Sequence, residues 1–503
     1  MSAWLRQHSP IVIGVALGVL LIAPRLLFPM QMDQYFHHYL GWRLAEGEMP
    51  YLGSYDQNFP GGAILHATCI LLFGHTSLGF ATFDLILQSI GMYFISKTAR
   101  RLGGDQAAIL APVIYALTYI GLGVWNIGQR DAFIVPFLAY AVWLLVQEKL
   151  SMRQVIALGL TCGFVILLRP MFILFACFAA AYVGLRMKDW KRGLSTLVCG
   201  AIPSLIVILS YLAIGEFQTL YESVVQFNLE VYGKFRHGVS MRGSGTMTLV
   251  FALGLIGVVY LAIRDRSRAN QLLPVIIATL IAPISTFIQG QGDSHHMTPS
   301  YAMAAIWAAV GFATILERLG LYDRVRGGWA LAAITGLILL RGSDRLPWEM
   351  MNAYASGSSL EAIHASSRST DVHLAEEFAV ADHLKRHLEA DDRLFIWSMR
   401  IWPYQLTGHP SATRIQTHEH VLMQPKGQPL TELQLKWRAE MMRDLQARPP
   451  KFILWTTTDH LWLLPNAEAS KEQLKRFPEF EAFAFSKYEL DTVIGGFEIM
   501  RRR

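Results

Sequence analysis

A small set of polar residues in this chain stands where polar residues are expensive. Asp33 follows the first apolar run. Asp56 lies in SYDQNFPGG, and Arg130 and Asp131 lie in NIGQRDAF. Arg169 interrupts an apolar run in ILLRPMF. Gln289, Gln291, Asp293, His295 and His296 lie in IQGQGDSHHMTP. Carboxylates of this kind can take a proton from a hydroxyl, and guanidinium groups can hold a phosphate through paired N–H bonds. Charges at or near bilayer depth are costly, so by default they mark a site or a pathway.

Each has a plainer explanation. Asp33 can be the N-cap of a surface helix through YFHHYLGWRLAEGE. Arg130 and Asp131 can be a local cap and an interface anchor, and Arg169 before Pro170 can close a helix end. Asp84, inside an apolar run, most simply bonds a neighbouring helix. His37 and His38 fit an interfacial position better than a metal site. His418, Glu419 and His420 follow no zinc-motif spacing. The tyrosines and tryptophans of 35–55 fit an aromatic belt at the membrane surface.

The elements that must position these residues follow from composition. The chain has 503 residues, 53% hydrophobic and only 16% charged, with a mean hydropathy of +0.32. Soluble domains carry more charge, so the fold class is a polytopic, all-α membrane domain. The net charge of +6 is no sign of nucleic acid, because the basic residues cluster in short loops between apolar runs. Cys69, Cys162, Cys177 and Cys199 all lie in apolar runs, so neither disulfides nor a thiolate metal site are expected. The first 28 residues lack a small-residue cleavage site and read as a retained helix.

A crossing needs roughly 20 apolar residues. Candidate spans are 11–28, 78–98, 106–124, 132–147, 154–168, 171–186, 194–214, 246–263, 271–288, 298–316 and 329–341. The run 61–74 opens with Pro60, Gly61 and Gly62 and reads as a re-entrant or partial helix. Arg100, Arg101, Lys149, Arg153, Arg186, Lys188, Lys191, Arg192, Arg264, Arg266, Arg268, Arg318, Arg324 and Arg326 then share one side. The positive-inside rule makes that side cytoplasmic. The polar residues named first all fall on the opposite face, as does everything after residue 345.

The tail is soluble in character. HLAEEFAVADHLKRHLEA and LTELQLKWRAEMMRDLQA are helical in period. RLFIW and KFILWTTT read as strands, and YELDTVIGGFEIMRRR as two strands joined at Gly-Gly. The division expected is a membrane domain at 1–345, a linker at 346–370 and a small α/β domain at 371–503.

At this point the chain resembles a known family. An acidic residue after helix one, a juxtamembrane helix, then G-E-x-P-Y and a Pro-Gly segment (MDQYFHHYLGWRLAEGEMPYLGSYDQNFPGG) is similar to the first periplasmic loop of GT-C glycosyltransferases. These are polyprenyl-phosphate-sugar-dependent enzymes that include protein O-mannosyltransferases and the aminoarabinose transferases of lipid A. GQRDAF resembles their second acidic loop, and LLRPMF and QGQGDSHHMTP resemble two further segments. DDRLFIW, LTGHPSATR and GGFEIMRR resemble their C-terminal periplasmic domain. This sequence departs from the family at Phe59 and Gly61, where the family commonly has a basic residue and a second Pro.

The resemblance implies about 11–13 transmembrane helices of GT-C type, a small C-terminal periplasmic α/β domain, and a multi-pass protein of the bacterial inner membrane with a cytoplasmic N-terminus. It implies an inverting glycosyltransferase moving a sugar from a polyprenyl-phosphate donor to a glycan, lipid or protein acceptor. In that frame Asp33 is the base and Asp131 the second acid. Arg130 and Arg169 hold the phosphate, His295, His296 and Gln291 add donors to phosphate or sugar, and Asp56 binds sugar hydroxyls. No metal ligand set is evident, although some relatives use a divalent metal. No phosphate loop of the nucleotide-hydrolase kind is present. The competing class is a transporter or flippase of polyprenyl-linked sugar or lipid, but no internal repeat is found and the polar residues crowd one surface. A third is a non-catalytic scaffold subunit.

Overall fold

The structure, a computed structural model, describes residues 3–235, 237–239, 245–320, 346–366, 374–425, 428–459 and 468–503. The expected span 329–341 lies outside them. In chain order the helices begin with α1 Ala3–Ile22, α2 Met32–Ala45, α3 Gly61–Phe73, α4 Ser77–Ile120, α5 Ile134–Leu145, α6 Met152–Leu168 and α7 Ile173–Arg186. They continue with α8 Trp190–Ala213, α9 Phe217–Tyr221, α10 Phe227–Glu230, α11 Gly245–Arg264, α12 Arg266–Asn270, α13 Leu273–Gln289 and α14 Thr298–Arg318. Then come α15 Leu346–Ala355, α16 Leu360–Ser366, α17 Leu374–Lys385, α18 Trp402–Thr407, α19 Glu419–Leu422, α20 Glu432–Ala447 and α21 Pro478–Lys487. The stretch expected as a linker is therefore helical in α15 and α16.

The chain divides into two compact units. One holds residues 1–28, 81–210 and 237–355; the other holds 29–80, 211–236 and 356–503. This grouping cuts across chain order, because the first loop belongs with the C-terminal sheet.

The first unit is a helical bundle. Ser9–Leu27, Ser77–Ile120, Trp190–Ala213 and Ser294–Arg318 are long and apolar enough to cross a membrane, with shorter apolar helices such as α6 and α13 beside them. The two spans expected at 78–98 and 106–124 form α4, which breaks at Gly104, where φ is 77°. Only glycine adopts that conformation without strain. The break folds α4 back on itself. Ser96 Oγ bonds the Ala108 carbonyl at 2.7 Å, and Tyr115 Oη bonds Gln88 Oε1 at 2.5 Å. A straight helix would hold these partners far apart.

At the end of the bundle that carries this break, arginines donate to neighbouring carbonyls. Arg101 bonds Val146 O at 2.9 Å, Arg186 bonds Leu145 O at 2.6 Å, Arg192 bonds Leu150 O at 2.5 Å and Arg268 bonds Leu102 O at 2.7 Å. The basic loops that charge alone assigned to one face thus meet at one end of the unit.

Apolar surface gives helices little reason to associate in lipid, so close packing of small residues matters. On α11 and α14 the backbones touch. A Cβ on Gly257 would stand 2.2 Å from Gly311 O, and a Cβ on Gly311 2.0 Å from Gly254 O. Gly159 and Gly163 of α6 meet the backbone of α8 at Thr196 and Gly200 in the same way.

The second unit is built on a four-stranded sheet of order β3-β4-β6-β5, with β3 Leu394–Trp397, β4 Phe452–Thr456, β5 Tyr488–Ile494 and β6 Phe497–Arg502. Two short strands precede these in chain order: β1 His237–Val239 and β2 Gln291–Gly292, paired in parallel in the first unit. β3 and β4 are parallel; β6 runs antiparallel to both its neighbours. All the tail elements expected from pattern are present. RLFIW and KFILW are continuous apolar runs because both faces of the sheet are covered. Phe395, Trp397, Ile453 and Trp455 pack with Tyr55, Phe227 and Trp437. Leu394, Ile396, Phe452 and Leu454 pack with Phe36, Tyr39, Leu40 and Trp42 of α2.

The aromatic belt expected at 35–55 is accordingly corrected. Tyr35, Tyr39, Tyr51 and Tyr55 are each at most 1% exposed. Tyr35 stacks on Trp402 with ring centroids 4.1 Å apart, and Tyr39 Oη accepts from Ser411 N at 3.0 Å. Tyr55 is clamped by Gln416, whose side chain accepts from Tyr55 N and donates to Tyr55 O, both at 2.9 Å. Tyrosines that read as an interfacial girdle instead fill protein core.

Replacing Gly311 with Leu must push α11 off α14. The expected loss is about 1–3 kcal/mol, visible as a lower thermal midpoint in detergent. Gly320→Leu, where nothing lies within 4 Å of a Cβ but φ is 67°, separates steric clash from backbone strain.

Candidate functional site

In the first unit, the loop between α4 and α5 turns through Gly123 and Gly128, both at positive φ, and delivers Arg130 and Asp131 to the mouth of α5. Arg169 sits in extended backbone (φ −150°) between α6 and Pro170. Its peptide N–H still bonds Val165 O at 2.8 Å, so it does close α6. Its side chain does more than that. It makes a close ion pair with Asp131, donates to Gln289 Oε1 at 3.1 Å and reaches Ser285 Oγ at 3.4 Å. Arg169 is 2% exposed and Asp131 1%. Burial acts to raise the Asp131 carboxyl. The attraction of Arg169, with His296 and Arg130 behind it, overcomes that and holds it well below the usual carboxylate range.

His295 and His296 follow the turn after α13, where Gly290 takes the left-handed conformation. Their rings lie 4.4 Å apart. Buried Nδ1 of His296 and Nε of Arg130 have no hydrogen-bond partner among the described residues. Two guanidiniums against one carboxylate leave an excess of positive charge, with the Arg130 Nε donor unsatisfied among the described residues. That is the chemistry of an anion site. Gln291 lies in β2 of the same turn. The three segments NIGQRDAF, LLRPMF and IQGQGDSHHMTP, far apart in the chain, supply one cluster.

The sequence shows no evident metal ligand set, but the fold brings one candidate group together. Donor atoms of Asp131, His295 and His296 lie within 4.8 Å of one another, a set of the type divalent cations take. The fit is poor, because Arg169 already occupies the Asp131 carboxylate and Arg130 adds a second like charge to any cation.

The second unit holds Asp33 and Asp56. Asp33 is not the N-cap of α2. That place belongs to Gln31, whose N–H donates to Gln34 Oε1 at 3.1 Å. Asp33 stands half-buried in the first turn, where the helix dipole favours an anion. Asp56 Oδ1 accepts from Asn58 N at 3.0 Å and Asn58 Nδ2 at 2.9 Å, and its Oδ2 is 3.9 Å from His37 Nδ1. His37 is four residues after Asp33 and so on the same helical face. His38 points elsewhere: it is buried, with Nδ1 3.3 Å from His66 Nδ1.

One neighbour escaped the sequence reading. Glu419 of α19 is electrostatically coupled to Asp33 and Asp56. Its position in HEH was weighed only against zinc motifs, and no local pattern links it to a loop more than three hundred residues earlier. Asp84 is a structural residue, as its span position implied. It accepts from Arg25 Nε at 3.0 Å and Tyr119 Oη at 2.8 Å.

Residues 58–214 match the family of dolichyl-phosphate-mannose-protein mannosyltransferases. The chain has the GT-C fold. Its fold is similar to that of ArnT from Cupriavidus metallidurans, whose crystal structure is bound to undecaprenyl phosphate, with a TM-score of 0.58, 12% identity and 98% of each chain covered. It is also similar to the arabinofuranosyltransferase AftD from Mycobacteria (TM-score 0.53, 14% identity, 98% of this chain and 40% of that one). The Archaeoglobus fulgidus oligosaccharyltransferase in its apo form matches with a TM-score of 0.51 and 12% identity over 91% of this chain and 70% of that one. No curated protein matches the chain in sequence. With several apolar helices in this fold, it is a multi-pass membrane protein.

Breaking a buried ion pair from one side strands the other charge. Asp131→Ala is expected to lower stability by about 3–5 kcal/mol, and adding Arg169→Met to it should recover a large part. A thermal double-mutant cycle in detergent measures both.

Proposed function

We propose that the protein transfers a sugar from a polyprenyl-phosphate donor to a hydroxyl acceptor, with inversion, on the periplasmic face of a bacterial inner membrane. The observation that carries this reading is the pair of guanidiniums, half-buried Arg130 and buried Arg169, gathered with the His295–His296 pair around Asp131. A departing lipid phosphate needs such positive charge.

In this reading the acceptor oxygen attacks the anomeric carbon while Asp33 takes its proton. The bond between that carbon and the phosphate oxygen breaks, and the electron pair leaves with the polyprenyl phosphate. One base suffices for such an inverting displacement. Arg130 and Arg169 neutralise the charge that grows on the phosphate, and His295, His296 and Gln291 add donors. Asp131, the second acid, holds the Arg169 guanidinium in place. Asp56, kept in orientation by Asn58, binds sugar hydroxyls. A membrane catalytic part at 1–345, a junction at 346–370 and a periplasmic part at 371–503 complete the proposal, with the N-terminus cytoplasmic.

Asp33→Asn should insert and fold normally yet lose transfer from radiolabelled polyprenyl-phosphate sugars by roughly a hundred-fold or more. Full activity in the variant would remove Asp33 as the base. Labelled lipid moving between leaflets, with no transfer at all, would instead favour a flippase.

A further inference from the structure

The second unit buries an acid that the scheme above does not use. Glu419 opens the short α19 in the segment Thr417–Leu422, which packs against the first loop. The next residue, His420, has its ring 4.3 Å from that of Tyr55 and 5.9 Å from that of Phe36. Its Nε2 lies 2.9 Å from Gln57 Oε1. His420 is thus wedged between α2 and the Asp56 turn, and Glu419 is carried to the same place.

Glu419 is 4% exposed. One carboxyl oxygen, Oε1, lies 3.2 Å from His420 Nε2. The other, Oε2, has no hydrogen-bond partner among the described residues. A buried, unsatisfied carboxyl oxygen costs folding free energy, and native structures keep few of them without a reason.

The contact with His420 is not an ion pair. Burial, with a smaller push from His418, brings the His420 imidazole down to about 3. Thr417 Oγ1 lies 3.2 Å from its Nδ1. A hydroxyl donating there leaves the Nε2 proton for Gln57. Burial, and after it the charges of Asp33 and Asp56, push the Glu419 carboxyl up to about 8. The groups facing it are Asp33 from α2, Tyr55 and Asp56 from the following turn, and His420 on its own segment. From α20, Arg438 donates to the Val421 carbonyl at 3.0 Å. Near neutral pH Glu419 is therefore a carboxylic acid, a hydrogen-bond donor set beside two carboxylates that can only accept.

We propose that Glu419 is a further substrate-binding residue, whose free carboxyl oxygen hydrogen-bonds a hydroxyl of the sugar or acceptor next to Asp33. This rests on the glycosyl-transfer reading. A polyol offers each hydroxyl as donor and acceptor at once. Asp33 and Asp56 can only take its protons. Glu419 supplies the complementary donor, so one ring hydroxyl can be held from both sides. The contact comes from the C-terminal part of the chain, which gives that part a direct place in choosing the substrate.

The test is transfer kinetics against pH for the full-length protein in membranes, using wild type, Glu419→Gln and Glu419→Ala. Wild-type kcat/KM should fall as pH rises through about 8, when the donor is lost and a third negative charge appears. Glu419→Gln keeps an amide donor that does not titrate. Its activity, lower than wild type, should show no such fall. Glu419→Ala should raise KM about tenfold or more with a smaller change in kcat. Superimposable pH profiles for wild type and Glu419→Gln, or an unchanged KM in Glu419→Ala, overturn the contact while leaving glycosyl transfer intact. No transfer by wild type overturns the function and the contact together.

Thermal midpoints give an independent reading. A carboxyl whose folded value lies above its unfolded value, near 4.5, holds its proton longer when folded. The stability it confers is complete below the unfolded value and is lost as pH rises towards about 8. Wild type should therefore lose thermal stability relative to Glu419→Gln across that window. Parallel curves would show the carboxyl to be ionised already and overturn its role as a donor.

Discussion

A charge taken out of water must find a partner, and most of this molecule's polar architecture follows from that requirement. Asp84 lies within a span and meets Arg25, Tyr119 and Gln88. Asp131, at the mouth of a helix, meets Arg169. In the second unit Arg400 is held between Glu376 and Glu377. Each pair joins segments distant in sequence, so each also fixes how helices stand against one another. Desolvation is large enough that an unpartnered charge would instead change its protonation state.

The same requirement sorts structural acids from candidate functional ones. Asp84 is saturated, with donors on both oxygens, and can do no chemistry. Asp131 is committed to Arg169, yet the cluster around it keeps positive charge in excess. Glu419 has no Lys or Arg ion-pair partner among the described residues, and its burial favours the neutral form. Saturation, excess charge and neutrality are three outcomes of one penalty, decided by what the fold places within a few ångströms.

The division of the chain into units bears on how such a protein is assembled. The first loop is not a bridge between helices. Its α2 covers one face of the C-terminal sheet, and Tyr55 enters the core on the other face. Gln416 and Ser411 bond backbone and side-chain groups of that loop across some 360 positions of sequence. The loop therefore cannot reach its final form before the C-terminal strands exist, a contact of very high sequence separation. In the first unit, by contrast, helices are held by small residues at α11–α14 and α6–α8, pairings of much closer neighbours in the chain.

Much of this was legible in residues alone. Continuous apolar runs named the membrane helices, since a bilayer leaves the backbone little choice but to bond within itself. Basic loops grouped into one end, and Arg101, Arg186 and Arg268 do meet there. Strand and turn signals placed the four strands of the tail, Gly495–Gly496 between the last two included. The polar residues worth attention were visible because charge beside apolar sequence is conspicuous. What the sequence could not determine was partnership. Nothing local pairs Asp131 with Arg169, exchanges an interfacial role for core burial at Tyr35 and Tyr55, or brings Glu419 to Asp33 and Asp56. Those outcomes depend on distances between segments far apart in the chain, and both packing and Coulomb forces act through space, not along sequence.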